Sequence, residues 1–378
     1  MSALTDEQRE LRSMVRALLE KQSPESAVRA SMETPRGSDP RLWSSFAEVG
    51  LLGLAVPEAY GGGGAGWTEQ GLVFEELGRS LACAPYLSTV GLAIPALLAS
   101  GDDAAIDRWL PSLAAGDRTA TLVLGEESGR CTTSGGALTG VVTERGWQVN
   151  GVAEHVLDGA TADLLLVLAA SGRGPVLLAV EAAGRDVRRT PVVTSDRTRR
   201  IADVRLLAAA ARPVGDVGRG ADIAAAALRY GRTALACEQV GGAARCLELA
   251  VDHARTRVQF GRPIGSFQAV KHECADMLVA VESARSAAWA AIRAAGSDEL
   301  PLAAAIAAAV CAEAYQHCAS ALVQVAGGIG YTWEHPAHLH VKRSRGSAVL
   351  LGTPRQHRRL VADLAAIPAA RVPEGSSR

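Results

Sequence analysis

Around a single chain reversal in RTRVQFGRPIGSFQAVKHECADM, residues 255–277, stand the guanidinium of Arg257, the side-chain amides of Gln259 and Gln268 and the ring of Phe260. Gly261 and Pro263 break the alanine-rich run that ends at Arg257, and Phe267, Val270, Cys274 and Met277 then recur at three- and four-residue spacing. The spacing predicts helix, tight turn, helix. A rigid fork of donors beside an amide and a ring can grip a flat, anionic ligand, because guanidinium geometry matches paired phosphate or carboxylate oxygens. The same residues on a solvated helical hairpin would bind nothing, and the turn alone does not choose.

A second cluster is QVAGGIGYTWEHPAHLHVKRSR, from Gln324 to Arg345. Glycines 327, 328 and 330 let a ligand approach the backbone closely, and Gln324 places an amide one helical turn earlier. A glycine helix stop would account for the glycines but not for the glutamine. His335, His338 and His340 follow as H-x-x-H-x-H, a spacing that matches no regular zinc motif and has no cysteine nearby. The expectation is no metal, with surface histidines near a helix start. Glycines 61–64 lack the G-K-[ST] of a phosphate loop and read as a flexible turn without a ligand.

Three kinds of segment must position these groups. Residues 1–117 have helical periodicity, broken at Pro24, at TPRGSDP (34–40) and at the glycine run. Residues 118–215 change to short apolar or alternating runs, among them TATLVLGE, WQVNGVAEHV, DLLLVLAA, PVLLAVE and RIADVRLL, which read as strands. Residues 216–378 are helical again: Leu228, Leu235, Gly242, Cys246, Leu249 and His253 mark one long helix, with further helices over 277–294 and 301–325. The fold class is α+β, with an N-terminal helical domain, a small middle β-barrel or sandwich and a C-terminal four-helix bundle. Its alanine faces permit close packing between chains, so an oligomer is expected.

Residues 80–101 carry no charge and are long enough to span a bilayer. Pro85, Pro95, Ser88 and Thr89, with no basic flank, argue instead for two buried helices joined by a turn, and no membrane span is expected. The 378 residues have a net charge of −1, so no global field would draw in nucleic acid or an anionic membrane. The seven cysteines are odd in number, scattered and free of C-x-x-C, and the first twenty residues form a charged amphipathic pattern without the apolar core of a signal peptide. A reducing, cytoplasmic setting is expected.

The pattern R-x-x-F-G-x-P-I-x-x-F-Q, closing in A-D-M, resembles the signature of the acyl-CoA dehydrogenase family of flavoproteins. It is carried by Arg257, Phe260, Gly261, Pro263, Ile264, Phe267, Gln268 and residues 275–277. The family's Q-x-x-G-G-x-G-Y-x-x-E-x-P is matched by Gln324, Gly327, Gly328, Gly330, Tyr331, Glu334 and Pro336. The resemblance implies FAD as cofactor and α,β-desaturation of an acyl thioester, presented on CoA or a carrier. It also implies that Arg257, Gln259, Phe260, Gln268, Gln324 and the backbone of Gly327 and Gly328 hold the ADP half of a neighbouring subunit's FAD.

The chain departs from the family where its own flavin ring would sit. The usual T-E-x-x-x-G-S-D is replaced by Gly125, Glu126, Glu127, Ser128, Gly129, Arg130 and Cys131, with only the glutamate clearly kept. The string NGVAEHVLDGATAD aligns on N-G-x-K-x-W-I-T-x-G-x-x-A-D, which puts His155 at the aromatic position and Leu157 at the hydroxyl position beside flavin N5. Leucine donates no hydrogen bond. His155 could stack on a ring or move protons, or be merely structural.

The family's catalytic glutamate from Y-E-G-T falls on Leu351, and its alternative position before an arginine falls on Gly231, before Arg232. No catalytic residue is therefore assigned. Retained neighbour contacts with degraded self contacts are similar to one subunit type of the bacterial heterotetrameric enzymes that desaturate steroid side chains, whose partner is a homologous subunit. Two alternatives stand: a homo-oligomeric dehydrogenase with an unrecognised base, for which Glu238 and His155 are the candidates, and a non-catalytic scaffold that binds FAD or an acyl thioester.

Overall fold

The structure, a computed structural model, describes residues 4–127, 130–131 and 136–367, without the side chains of 126–127 and 130–131. The N-terminal part holds helices α1 (Asp6–Gln22), α2 (Glu25–Glu33), α3 (Pro40–Glu48), α4 (Trp67–Arg79), α5 (Ile94–Ser100) and α6 (Asp103–Ala114). Thr5 opens α1 with a capping box: its side chain accepts from the Gln8 amide while the Gln8 side chain accepts from the Thr5 amide.

The uncharged stretch is one helical segment rather than two helices and a turn. A π-helical run over Leu87–Ala93 passes directly into α5, with Pro95 in its first turn. Proline lacks an N–H and crowds the carbonyl four residues earlier, and the wider π turn accommodates it without a break. At fourteen residues, Leu87–Ser100 is short of the roughly 20 that span a bilayer. Only Leu300–Tyr331 among the described residues is long and apolar enough to do so, and 61% of its apolar window is buried inside the protein, as a core helix would be.

The middle part comprises β1 (Ala120–Val123), β2 (Glu126–Glu127), β3 (Arg130–Cys131), β4 (Thr139–Thr143), β5 (Gly146–Leu157), β6 (Leu164–Ala169), β7 (Val176–Glu181), β8 (Val187–Val192) and β9 (Ile201–Pro213). Seven of these form one sheet in the order β1-β6-β7-β9-β5-β4, with β8 also paired to β9. All pairings are antiparallel except β1 with β6. Every residue of β6 is buried, because the strand is covered on both faces. Leu164, Leu166 and Leu168 join the helical core, whereas Leu165 and Val167 pack with Val149, Val204 and Leu206 inside the β domain.

The C-terminal part contains α7 (Gly220–Thr256), a hairpin of β10 (Val258–Gln259) and β11 (Arg262–Pro263), then α8 (Gln268–Arg293), α9 (Leu300–Ala326), α10 (Ala337–Leu350) and α11 (Pro354–Leu364). At 37 residues α7 is about 55 Å long, and the N-terminal helices, the sheet, α8 and α9 all pack on it. Helix α4 crosses it where a Cβ on Gly78 would sit 1.8 Å from the Glu238 carbonyl oxygen, and one on Gly241 1.7 Å from that of Glu75. Only glycine permits that approach, so these two positions set the N-terminal helices against the bundle.

Two local expectations are corrected. His340 is not a surface residue: it is 2% exposed, and its Nδ1 lies 2.9 Å from the hydroxyl of fully buried Tyr315. Burial lowers its imidazole to about 3, so it stays neutral. The glycine turn at 61–64 is pinned rather than loose, since the Gly63 and Gly64 amides donate to the carbonyls of Gly53 and Val56 at 2.9 Å each.

Candidate functional site

The middle sheet, the π-helical run, α7 and the junction between α10 and α11 meet around a cleft of about 80 Å³. Leu92, Leu122, Leu157, Leu228 and Leu351 supply its apolar wall. A Cβ on Gly231 would lie 2.3 Å from Leu92 Cδ2 and 3.3 Å from Leu351 Cδ1. Gly231 and Leu351, distant in sequence, are thus brought to one point, and neither carries a proton acceptor. The guanidinium of Arg232 turns to the same place, its Nε donating to the Leu351 carbonyl at 3.3 Å.

His155 and Glu154 also line this cleft. Strand alternation would put two consecutive residues on opposite faces. The β5–β9 register slips between Ala153 and Val156, and His155 takes φ +55°, which bends the strand locally. Asp203 Oδ1 accepts from the His155 amide at 3.1 Å. Glu154 is the carboxylate that sequence reading missed: no glycine or proline marks the bulge, so nothing in the chain signals it.

Behind Leu157 lies a layer of buried charge. Asp158 accepts from Ser88 Oγ at 2.7 Å, and burial pushes its carboxyl up to about 6. Glu238 is paired with Arg199 and lies 3.4 Å from Arg343 Nη1, with all three side chains nearly buried. Held between two guanidinium groups and outside the cleft lining, Glu238 is not placed to act as the unrecognised base. The first-loop positions from Glu126 to Cys131 lie outside the residues whose side chains are described.

The chain reversal after α7 is a two-residue hairpin turn, with Phe260 at φ +53° and Gly261 at φ +75°. Positive φ at both central residues is the geometry that matches strand twist in such hairpins, and it is strained for phenylalanine. The strain holds the Phe260 ring outward, 91% exposed, edge-to-face with Phe267 at 6.1 Å. Arg262 lies over the other ring of the pair, 4.1 Å from the Phe267 centroid.

Arg257 ends α7, and Gln259 and Gln268 are exposed beside it. Helices α7 and α9 run in the same sense, so the end of α9 comes to this same end of the bundle: Ala254, Ile264, Val270, Leu322 and Val325 share one core cluster. Gln324, Gly327 and Gly328 are exposed there, and a Cβ on either glycine would meet nothing within 4 Å. All seven residues singled out for binding are therefore exposed at the same end of the bundle.

Those seven fit an ADP group arriving from outside: one guanidinium, three amides, one ring and open backbone. At Leu157 the cleft presents leucine where the family resemblance calls for a hydrogen-bond donor to a flavin ring. Among the described residues no group of three His, Cys, Asp or Glu side chains could hold a metal.

A helical domain and a β domain closing on a long bundle, with a polar corner at the bundle's far end, define the architecture of flavin-dependent acyl-thioester dehydrogenases. The model of the acyl-CoA dehydrogenase N-terminal domain matches residues 5–117, and that of the C-terminal domain matches residues 218–365. The chain is 38% identical to acyl-CoA dehydrogenase IpdE2 of Mycolicibacterium smegmatis over 96% of its own length and 100% of that protein's. It is 37% identical to IpdE2 of Mycobacterium tuberculosis, over 93% and 95% of the two chains. Among solved structures it is similar to the ChsE4-ChsE5 complex of Mycobacterium tuberculosis, with a TM-score of 0.88, 31% identity and coverage of 97% of this chain and 99% of that one. The protein belongs to the acyl-CoA dehydrogenase family, whose members are FAD-dependent oxidoreductases acting on CH–CH bonds.

Proposed function

We propose that this chain is the base-less half of a flavin-dependent acyl-thioester dehydrogenase: it lends its bundle corner to the FAD of a homologous partner and leaves the chemistry to that partner's cleft. One observation carries the reading. Gly231 and Leu351, the two positions where the family resemblance places a base, meet at the leucine-walled cleft, Gly231 packing against Leu92 and Leu351 that line it, and neither position holds a carboxylate. Such a reaction needs a carboxylate to take the α-proton while hydride leaves the β-carbon, and removing a general base commonly costs ~10²–10⁴ in rate. The flavin supplies the hydride acceptor when bound.

In this reading Arg257 neutralises and orients the pyrophosphate, Gln259, Gln268 and Gln324 offer amides to the nucleotide, and Phe260 covers it from water. The exposed Phe260, Tyr331 and Trp333, at 91%, 78% and 62%, become buried on assembly. The relation to a chain of the ChsE4-ChsE5 complex supports a heteromeric partner. The six described cysteines, all free, suit a reducing cytoplasm.

The test is an acceptor-dye assay across acyl-CoA thioesters, together with flavin content, on the chain alone and co-expressed with a glutamate-bearing homologue. The lone chain is expected to bind little FAD and to turn over negligibly, and the pair to be yellow and active. One FAD per lone chain with ordinary turnover would refute it. That outcome would favour a homo-oligomer using Glu154, the carboxylate at the cleft, which Glu154→Gln would then silence.

A further inference from the structure

About 150° around α7 from the leucine-walled cleft is a second, larger hollow of about 370 Å³, between the start of α4, α5, α7 and the turn joining α8 to α9. That volume is in the range of pockets that enclose small organic ligands. Its floor is apolar, from Pro95, Leu98 and Leu300. Its side is an aromatic ledge: Trp67 and Tyr230 lie with ring centroids 4.5 Å apart, inclined at 34°.

Ser297 in this hollow is hydrogen-bonded within its own turn, whereas three other polar side chains have no protein partner among the described residues. Arg229 is half-buried, lines the hollow and makes no ion pair or side-chain hydrogen bond among the described residues. By contrast, most of the half-buried arginines nearby in the sequence are matched to a carboxylate, as Arg245 is to Glu248 and Arg285 to Glu75. The Trp67 indole N–H and the Tyr230 hydroxyl likewise have no hydrogen-bond partner among the described residues. Guanidinium and indole N–H groups can only donate, and a phenol can donate. No carboxylate lines the hollow; Asp298 and Glu299 lie in the adjoining turn, outside the lining. Three unclaimed donors over an apolar floor and a flat aromatic wall call for a ligand with a flat or alicyclic apolar body and one anionic acceptor.

We propose that this hollow is a binding site for a small apolar carboxylic acid, its ring body stacked on Trp67 and Tyr230 and its carboxylate held by Arg229. The site is separate from both the leucine-walled cleft and the nucleotide corner, so it needs neither FAD nor a partner chain to form. A guanidinium–carboxylate contact is charge-assisted and paired, so it discriminates against a neutral ligand of the same shape.

The experiment is isothermal titration calorimetry of the full chain with naphthalene-2-carboxylate, with naphthalene-2-carboxamide as the neutral counterpart. One site per chain is expected, with the amide bound at least 10-fold more weakly. Arg229→Gln is expected to weaken the carboxylate about 10- to 100-fold and to remove its advantage over the amide, while Arg229→Lys keeps part of it. Trp67→Ala should weaken both ligands together. Equal carboxylate affinity in wild type and Arg229→Gln, or no binding by a wild-type chain with a normal circular dichroism spectrum, would overturn the assignment. Because the titration is read without flavin or partner, its failure would leave the half-enzyme reading untouched.

Discussion

Replacing Gly231 by alanine tests whether the space between Leu92 and Leu351 is packed shut or merely empty. The new Cβ would lie 2.3 Å from Leu92 Cδ2, 3.1 Å from Leu92 Cγ and 3.3 Å from Leu351 Cδ1, so Leu92 must leave its rotamer or α7 must shift. Overpacking of this kind costs roughly 1–3 kcal/mol, whereas exchanging glycine for alanine inside a helix returns about 1 kcal/mol. A net destabilisation of about 0–2 kcal/mol is therefore expected from Gly231→Ala. Leu92→Ala alone opens a cavity at a residue that is 3% exposed, costing roughly 2–5 kcal/mol. In the double variant the added methyl occupies part of the space vacated by Leu92, so the two losses should fall short of their sum by about 1–3 kcal/mol.

Urea unfolding midpoints of the four chains close this cycle. Gly231→Glu then carries the functional arm. Its carboxylate would enter among leucines, where burial raises its pKa and leaves it protonated, and no turnover is expected from the lone chain. If Gly231→Ala stabilised the chain by the full helix-propensity gain, with no coupling to Leu92, the packing argument would be wrong. If Gly231→Glu gave a working dehydrogenase by itself, the cleft would be competent after all.

At the nucleotide corner, Arg257→Ala should weaken FAD retention by the assembled pair by roughly 1.5–3 kcal/mol, read as flavin lost on dilution and gel filtration, and Arg257→Lys should restore only part. Unchanged flavin content would remove Arg257 from the site. In acid, His340 should act against folding: the unfolded chain takes up a proton near 6.5, the folded one only near 3, so this group alone lowers stability by up to about 1.4 kcal/mol per pH unit as pH falls between those values. Asp158 acts in the opposite sense, because its folded value of about 6 lies above its ordinary 3.8; its contribution is full below 3.8 and is lost as pH rises through 6. His340→Gln should therefore flatten the acid limb of a urea-midpoint profile, and an unaltered slope would contradict the assignment.

Local features of the chain were enough for the three-part organisation and for the exposed turn after α7. Helix and strand periodicities depend on neighbours a few residues apart, and the Phe260-Gly261 turn is set by its own backbone geometry. Positions at the ends of three helices are exposed wherever those helices pack, so Arg257, Gln268 and Gln324 could be named before it was known that they lie at one end of the bundle. The sequence also showed that no carboxylate occupies Leu351 or Gly231, since residue identity needs no fold. What it left open was whether those two positions form one place.

That was decided by tertiary packing, which sets Leu92 from the π-helical run against Gly231 and Leu351. The same holds for the bulge that turns Glu154 into the cleft beside His155, for the burial of His340 against Tyr315, and for the pairing that withdraws Glu238 from any role as a base. In each case the deciding contact joins residues from different helices or strands, and a contact formed in space leaves no periodic trace along the chain.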